Sequence, residues 1–218
     1  MESKETGDIK RRFTITLSGV ALYLLLDFVA QLLPPHYSAI SQPESDLAVG
    51  QYGYIMTVNF LNRGLLSAEF LLAMVGTVRL SQAEFSAYRT GFYLLGAWSL
   101  GAVLLAIFPT DVPSTPVSWH GAIHLLVAVI AFIGGGIGAL LVSSRMRQTR
   151  SLQGASLLAF PLAALSAILC LAELLGPFLA PNLVAGYGGL LERFFLGSVL
   201  FWMAAVSTYM LLHKSRAA

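Results

Sequence analysis

Charged side chains and cysteine are both scarce in this chain. Only 11% of its 218 residues are Asp, Glu, Lys or Arg, whereas a soluble domain carries about 25%. The single cysteine, Cys170, cannot form an internal disulfide, which excludes a disulfide-stabilised secreted scaffold. The formal net charge of +2 is small, and the placement of the charges along the chain matters more than their sum. Since 56% of the residues are hydrophobic, the composition predicts an integral membrane protein.

Six apolar stretches are each long enough to cross a bilayer as a helix, which takes roughly 20 residues. They cover about residues 13–33, 51–78, 90–108, 119–142, 155–176 and 187–212. Helices are expected because a backbone amide without a partner is costly in hydrocarbon. The sequence therefore predicts an all-α, six-helix transmembrane bundle that forms a single domain over residues 1–218.

Basic residues outside the spans fall on one side of the predicted bundle. They precede the first span, flank the links after the second and fourth spans, and follow the sixth: Lys4, Lys10, Arg11, Arg12, Arg79, Arg89, Arg145, Arg147, Arg150, Lys214 and Arg216. The links 34–50, 109–118 and 177–186 contain no Lys or Arg. The positive-inside rule thus predicts that both termini are cytoplasmic and that these three links face outwards.

Ionisable residues inside the spans are the first functional candidates, because such residues usually face the bundle interior or a watery cavity. There are six: Asp27, Arg63, Glu69, Glu173, Glu192 and Arg193. All except Glu69 fall in the outer half of the membrane by their distance along each helix. We therefore predict a polar cavity open to the outside, lined by every span except the uncharged third, which is expected at the periphery.

Helical spacing adds polar neighbours to two of these charges. Asp27 shares a face of the first span with Tyr23, and Arg63 shares a face of the second with other polar side chains. The predicted substrate-binding residues are Asp27, Tyr52, Asn59, Asn62, Arg63, Glu173 and Arg193. The alternative is structural, in which Arg63 pairs with Asp27 or Glu192, and Arg193 pairs with Glu173, to lock the bundle.

His120 and His124 open the fourth span and project from one helix face, since they are four residues apart. With Asp46 and Asp111 from the outer links, they form a predicted site for a divalent metal such as Zn. The same histidines could instead serve as metal-free acids or bases, or simply hydrogen-bond a loop. The glutamate of a zincin motif is missing, because Gly121 follows His120.

Four short motifs carry a resemblance to a known family. They are Ile40-Ser41…Ser45-Asp46-Leu47, Phe108-Pro109-Thr110-Asp111, His120-Gly121…His124 and Leu191-Glu192-Arg193. In order and spacing they resemble the bacterial and archaeal membrane family called domain of unknown function 998, over nearly the whole chain. The resemblance implies a six-helix bundle in the cytoplasmic membrane of a prokaryote. It implies no activity, but it singles out Asp46, Asp111, His120, His124 and Glu192.

These observations favour an intramembrane enzyme, a hydrolase or a cyclase-like acid/base catalyst, that acts on a lipid- or isoprenoid-like amphiphile. The predicted catalytic residues are Asp46, Asp111, His120, His124 and Glu192, with metal-assisted or acid/base chemistry. The predicted partner is a membrane lipid or lipid-like small molecule, and no nucleic acid. The alternatives are a small-molecule or proton-coupled transporter and a non-catalytic ligand-binding or sensor subunit.

Overall fold

The computed structural model describes residues 2–81, 84–113 and 115–213. These residues form six long helices: α1 (Glu2–Gln31), α2 (Gly53–Leu80), α3 (Phe85–Ile107), α4 (Trp119–Gln148), α5 (Gln153–Leu179) and α6 (Pro181–His213). Short 3-10 helices lie at Glu44–Ala48 and Arg150–Leu152. Each long helix has the length and the apolar composition needed to cross a membrane. The predicted all-α, six-helix transmembrane bundle is confirmed.

The six helices pack in chain order, each against the next, and α1 packs against α6 to close the ring. Because the chain crosses the bundle an even number of times, α1 begins at the end where α6 finishes. We call this the terminal end. The links from α1 to α2, α3 to α4 and α5 to α6 lie at the opposite end, the loop end.

Small residues bring α3 and α4 into close contact. A Cβ added to Gly134 would lie 2.5 Å from the carbonyl oxygen of Leu94, and one added to Gly138 would lie 3.1 Å from the Cβ of Leu94. Lipid gives helices little hydrophobic reason to associate, so close backbone approach supplies the packing energy. The third span, predicted at the periphery, packs as α3 mainly against α2 and α4, and its Trp98 is fully buried.

The prediction of an outer link over residues 177–186 is wrong. Helix α5 continues to Leu179 and α6 begins at Pro181, so Ala180 alone separates them. Proline is tolerated at the first position of a helix, where its missing N–H has no partner to lose. Ala180 is hydrogen-bonded to both helices. Its amide donates to the Gly176 carbonyl of α5 at 2.8 Å, and its carbonyl accepts from the Val184 amide of α6 at 3.1 Å.

Ion pairs gather at the terminal end of the described chain. Arg12 contacts Asp8 at 2.8 Å and Glu69 at 2.7 Å, and Arg11 contacts Asp8 at 2.7 Å. Glu69, the one intramembrane acid predicted to lie in the inner half, is therefore neutralised by α1. Lys214 and Arg216, used in the orientation argument, lie outside the described residues.

Candidate functional site

Residues 32–52, which link α1 to α2, fold back over the loop end of the bundle. We call this segment the cap. The Leu190 amide of α6 donates to the carbonyl of Ile40 in the cap at 2.9 Å. At the residue before it, a Cβ on Gly189 would collide with the backbone of Gln42. Glycine at position 189 therefore allows the cap to lie directly on α6.

Arg193 fixes the cap to α6. Its Nη1 donates to the carbonyls of Ala39, Gln42 and Gly189 at 3.0, 3.1 and 3.0 Å. Its Nη2 donates to the hydroxyl of Tyr37. Burial raises the pKa of Tyr37 to about 12, against the opposing effect of Arg193. The hydroxyl thus keeps its proton and donates to backbone carbonyls of the cap.

The cap inserts one acid, Glu44, into the bundle. Its side chain is 1% exposed. The Tyr23 hydroxyl of α1 donates to both carboxyl oxygens, at 2.6 Å to Oε1. The Glu44 amide donates to Glu192 Oε2 of α6 at 3.0 Å. Glu44 therefore joins α1 to α6 through the cap.

Asp27 lies against Glu44, within hydrogen-bonding reach of its carboxyl group. Asp27 Oδ2 accepts from Gln31 at 2.5 Å, whereas Oδ1 is buried and accepts nothing from a described N–H or hydroxyl. Burial, and next the adjacent Asp27, raise the pKa of Glu44 well above its ordinary value. Burial and the neighbouring Asp27 thus favour the protonated form of Glu44.

A cavity of about 510 Å³ lies beneath the cap. Its polar lining comprises Ser41, Ser45, Arg63, Thr110, His124, Glu173 and Glu192. Its apolar lining comprises Pro43, Phe60, Leu105, Leu125, Ala128, Val129, Phe132, Leu174, Pro177, Phe178, Val184 and Gly188. Leu125 of α4 and Phe178 of α5 remain 57% and 82% exposed, so the cavity opens sideways between these helices.

This cavity corrects the predicted one in two respects. No α1 residue lines it, because Asp27 and Tyr23 lie behind Glu44, whereas Leu105 of α3 does contribute. A second groove of about 590 Å³, lined almost wholly by apolar side chains of α5 and α6, shares Val184 with the cavity. The loop end therefore combines one mixed polar and apolar cavity with one apolar groove.

His124 is the histidine that faces the cavity. It is 3% exposed, and its Nδ1 bonds the carbonyl of Phe108 at 2.8 Å. A carbonyl only accepts hydrogen bonds, so Nδ1 carries the proton and Nε2 has a free lone pair in the neutral ring. His120 instead lies against the indole of Trp119, outside the cavity lining.

Asp111 organises the start of α4. Its carboxylate accepts from the Ser118 hydroxyl at 2.6 Å and from the Ser118 amide at 2.9 Å. Those bonds, the hydroxyl bond first, lower the pKa of Asp111. Ser118 in turn caps α4 by accepting from the Gly121 amide at 3.2 Å. A Cβ on Gly121 would collide with the Asp111 carboxylate, which explains why a glycine follows His120.

The polar residues predicted on α2 separate into two groups. Asn59 and Asn62 donate to the α1 carbonyls of Tyr23 and Gly19, at 3.2 and 2.9 Å. They thus hold α1 against α2. Arg63 alone faces the cavity. Tyr52 ends the cap and accepts from the Ile55 amide through its carbonyl, outside the cavity lining.

The ion pairs proposed as the structural alternative do not form in the described chain. Arg63 has no acidic oxygen within 4 Å, and neither does Arg193. Glu173 lines the cavity and makes none of the described hydrogen bonds. Most of the intramembrane charge at the loop end is therefore not neutralised by direct pairing.

The predicted metal ligands are not brought together. No group of three or more His, Cys, Asp or Glu side chains in the described ranges is arranged to hold a metal ion. Asp111 is engaged by Ser118, and His124 by Phe108. Asp46 is half-buried in the cap, where Gln42 approaches its carboxylate at 3.5 Å and burial raises its pKa. Acid/base use of His124 and Glu192 remains open geometrically.

Sequence reasoning missed Glu44, the most deeply buried acid of the site. It treated the residue as part of a polar outer link. The one available signal is its position directly after Pro43, within two residues of the selected Asp46. Tyr23 was placed on the correct face of α1, but its partner could not be found without the cap.

The comparisons with known proteins agree with the architecture. The model of the family described as protein of unknown function (DUF998) matches residues 17–209. No curated protein and no solved structure matches the chain. The matched range runs from within α1 to near the end of α6 and includes the cap and the whole cavity lining. The chain therefore belongs to the DUF998 family of membrane proteins.

Proposed function

We propose that this protein is a membrane-embedded enzyme that acts on a lipid- or isoprenoid-like amphiphile by acid/base chemistry. One observation carries the proposal: a single cavity combines His124, Glu173 and Glu192 with an apolar wall and opens sideways between α4 and α5. A molecule diffusing in the membrane can enter such an opening without crossing water. Its head group then meets the ionisable side chains while its tail contacts the wall.

Two residues have complementary proton-transfer roles in this proposal. His124 is the base, because its Nδ1 is committed to the Phe108 carbonyl and its Nε2 can accept a proton. Glu192 is the acid, because its carboxyl group lines the same cavity as His124 and would donate the proton from there. Asp111 is a positioning residue that holds the first turn of α4, on which His124 lies. The absence of a gathered ligand set in the described residues favours this chemistry over metal assistance.

The proposal includes an orientation. Both termini lie in the cytoplasm of a prokaryote, and the cap and cavity lie in the outer half of the membrane. The support is the distribution of charge, since Arg145, Arg147 and Arg150 lie at the terminal end, whereas the cap contains no Lys or Arg. The substrate would then enter from the outer leaflet.

The test is turnover of membrane lipids by the purified protein. Wild-type protein in nanodiscs that contain a total prokaryotic lipid extract should convert at least one lipid species, as followed by mass spectrometry over time. His124→Gln and Glu192→Gln should lose that conversion. His213→Gln is the matched control, since His213 is exposed at the terminal end. Binding of a lipid without any conversion would overturn the proposal that the protein is an enzyme and favour the ligand-binding alternative.

A proton-coupled transporter is the second candidate. The observation that favours it is the buried carboxyl group of Glu44, whose amide contacts Glu192 of the cavity. In sealed proteoliposomes, a pH gradient should then drive movement of the bound amphiphile between leaflets, and Glu44→Gln should abolish the coupling. Conversion of the lipid in nanodiscs, where no gradient exists, would argue against this candidate.

A further inference from the structure

Arg63 lies in the middle of α2 with its guanidinium facing the cavity, and it is only 1% exposed. Its Cζ lies 5.2 Å from the centroid of the Phe60 ring and 4.9 Å from that of the Trp98 ring. These rings attract the cation and restrict its position. Trp98 is itself fixed, because its indole nitrogen donates to Ser67 Oγ at 3.0 Å.

The contacts with the two rings provide no hydrogen-bond acceptor for the N–H groups of Arg63. Its Nε and Nη2 are buried and have no hydrogen-bond partner among the described residues. Arg12 and Arg193 differ in this respect, since the first pairs with two acids and the second donates to three carbonyls and a hydroxyl. A buried donor without a partner destabilises the folded protein, so its presence here needs an explanation.

The nearby acids do not supply the missing bonds. Glu44 and Glu192 lie close enough to interact with the charge of Arg63. However, Glu44 is bonded to Tyr23 and Asp27, and Glu192 Oε2 is bonded to the Glu44 amide. The N–H groups of Nε and Nη2 therefore still lack an acceptor among the described residues.

The two unpartnered nitrogens form one edge of the guanidinium, along which the N–H bonds of Nε and Nη2 run parallel. This edge can bind two oxygens of one carboxylate or phosphate at once. We propose that Arg63 binds the oxyanion of an amphiphile with a phosphate or carboxylate head group, held in the cavity beneath the cap. The inference rests on the proposed function, for which it names the substrate class.

The position of Arg63 agrees with a head-group role. The apolar lining from α4 and α5, including Phe132 and Leu174, lies in the same cavity as Arg63. A tail that leaves through the opening beside Phe178 would therefore place its charged end toward Arg63 and His124. The base proposed above would then lie beside the head group it acts on.

The experiment measures binding to purified wild-type protein released from neutral detergent, by native mass spectrometry. The probes are dodecyl phosphate, laurate, dodecanol, dodecylamine and inorganic phosphate. Dodecyl phosphate and laurate should bind at least about tenfold more tightly than dodecanol, the size expected for one charge-assisted contact. Arg63→Gln should remove that preference, and Arg63→Lys should retain only part of it because an ammonium offers no parallel edge. Arg147→Gln is the matched control, since it removes the same charge at an exposed position.

Each result separates this inference from the proposed function. Equal binding of all the twelve-carbon probes would overturn the role of Arg63 but leave an amphiphile cavity. If inorganic phosphate binds as tightly as dodecyl phosphate, Arg63 binds an oxyanion, but the proposal that the ligand is an amphiphile is overturned. A preference that survives Arg63→Gln overturns the inference. If Arg63→Gln does not fold, Ala128→Phe offers a second test, because it fills the cavity and leaves Arg63 intact. It should weaken the binding of dodecyl phosphate by about tenfold or more.

Discussion

The carboxyl groups of Asp27 and Glu44 meet inside the protein, one from α1 and the other from the cap. Neither has a basic side chain within ion-pair distance in the described ranges. Two ionised carboxylates would repel each other, so this contact favours a proton on Glu44. The cap is bonded to α1 through Glu44 and to α6 through Arg193.

Two replacements of Glu44 should distinguish the effect of its proton from the effect of its side-chain volume. In Glu44→Gln the amide can donate to Asp27 and accept from Tyr23, so the thermal midpoint in detergent should change little. Glu44→Ala leaves Asp27 and the Tyr23 hydroxyl buried without this partner, which costs about 1–3 kcal/mol for each group. A Gln variant as unstable as the Ala variant would show that Glu44 is ionised in the folded protein.

The same pair predicts a dependence of stability on pH. Because the pKa of Glu44 is raised, the folded protein retains a proton on Glu44 that the unfolded chain releases above the ordinary glutamate pKa of 4.5. Stability from this source is therefore greatest below that pKa and falls as pH rises toward the raised folded pKa. The thermal midpoint of the wild type should fall relative to that of Glu44→Gln between about pH 5 and 8.

Other groups around Glu44 enter that comparison. Tyr23, Arg63, Glu192, Tyr37 and Arg193 all carry or can carry charge near it. Each is present in both proteins, so the difference between the two melting curves isolates position 44. If the thermal midpoints of the two proteins change in parallel over this pH range, Glu44 is not protonated in the folded protein.

Arg193→Lys should loosen the cap without changing the net charge. A lysine can reach at most part of the set of three carbonyls and one hydroxyl that Arg193 binds, and it has no planar fork. Hydrogen exchange of residues 36–46 should become faster, while exchange within α3 stays the same. Arg145→Lys, at the exposed terminal end, is the control, and equal protection in both variants would show that Arg193 does not hold the cap.

Gly121→Ala should destabilise the first turn of α4, because the new Cβ collides with the Asp111 carboxylate. Overpacking of this kind costs about 1–3 kcal/mol, so the thermal midpoint should fall. Gly186→Ala is the matched control, because a Cβ there meets no atom within 4 Å and alanine is the better helix former. Similar melting of the two variants would show that Asp111 does not pack on Gly121.

Cysteine labelling can test the proposed orientation. The native thiol of Cys170 is 1% exposed, so it should react slowly with an impermeant maleimide and leave little background. Thr115→Cys at the loop end should be labelled in intact cells, and Gln148→Cys at the terminal end only after lysis. The reverse pattern would place both termini outside the cytoplasm.

The sequence predicts much of the architecture because the membrane restricts what a chain can form. Six apolar runs of sufficient length had to become helices, and the four-residue spacing of Gly134 and Gly138 is typical of a close helix contact. Proline is a weaker guide to where a helix ends. Pro177 and Pro181 both fit within helices, one in a last turn and one at a first position.

The site was predictable only in part. Arg63, His124, Glu173 and Glu192 share a cavity, whereas Asp46, Asp111 and Tyr52 lie outside its lining. Helical periodicity reports which face a side chain occupies, but not which neighbour that face meets. For this reason Asn59 and Asn62 could not be recognised as contacts to the backbone of α1.

Composition and the lengths of the apolar runs alone determined that this chain crosses the membrane six times with most of its charge near one end. Tertiary structure alone decided that Glu44 is buried, and that within the described part of the chain two nitrogens of Arg63 lack an acceptor and Glu173 forms no ion pair. The physical reason is distance along the chain. Burial of the cap depends on Gly189 and Arg193, about 150 residues away, and no local pattern of residues encodes such a contact.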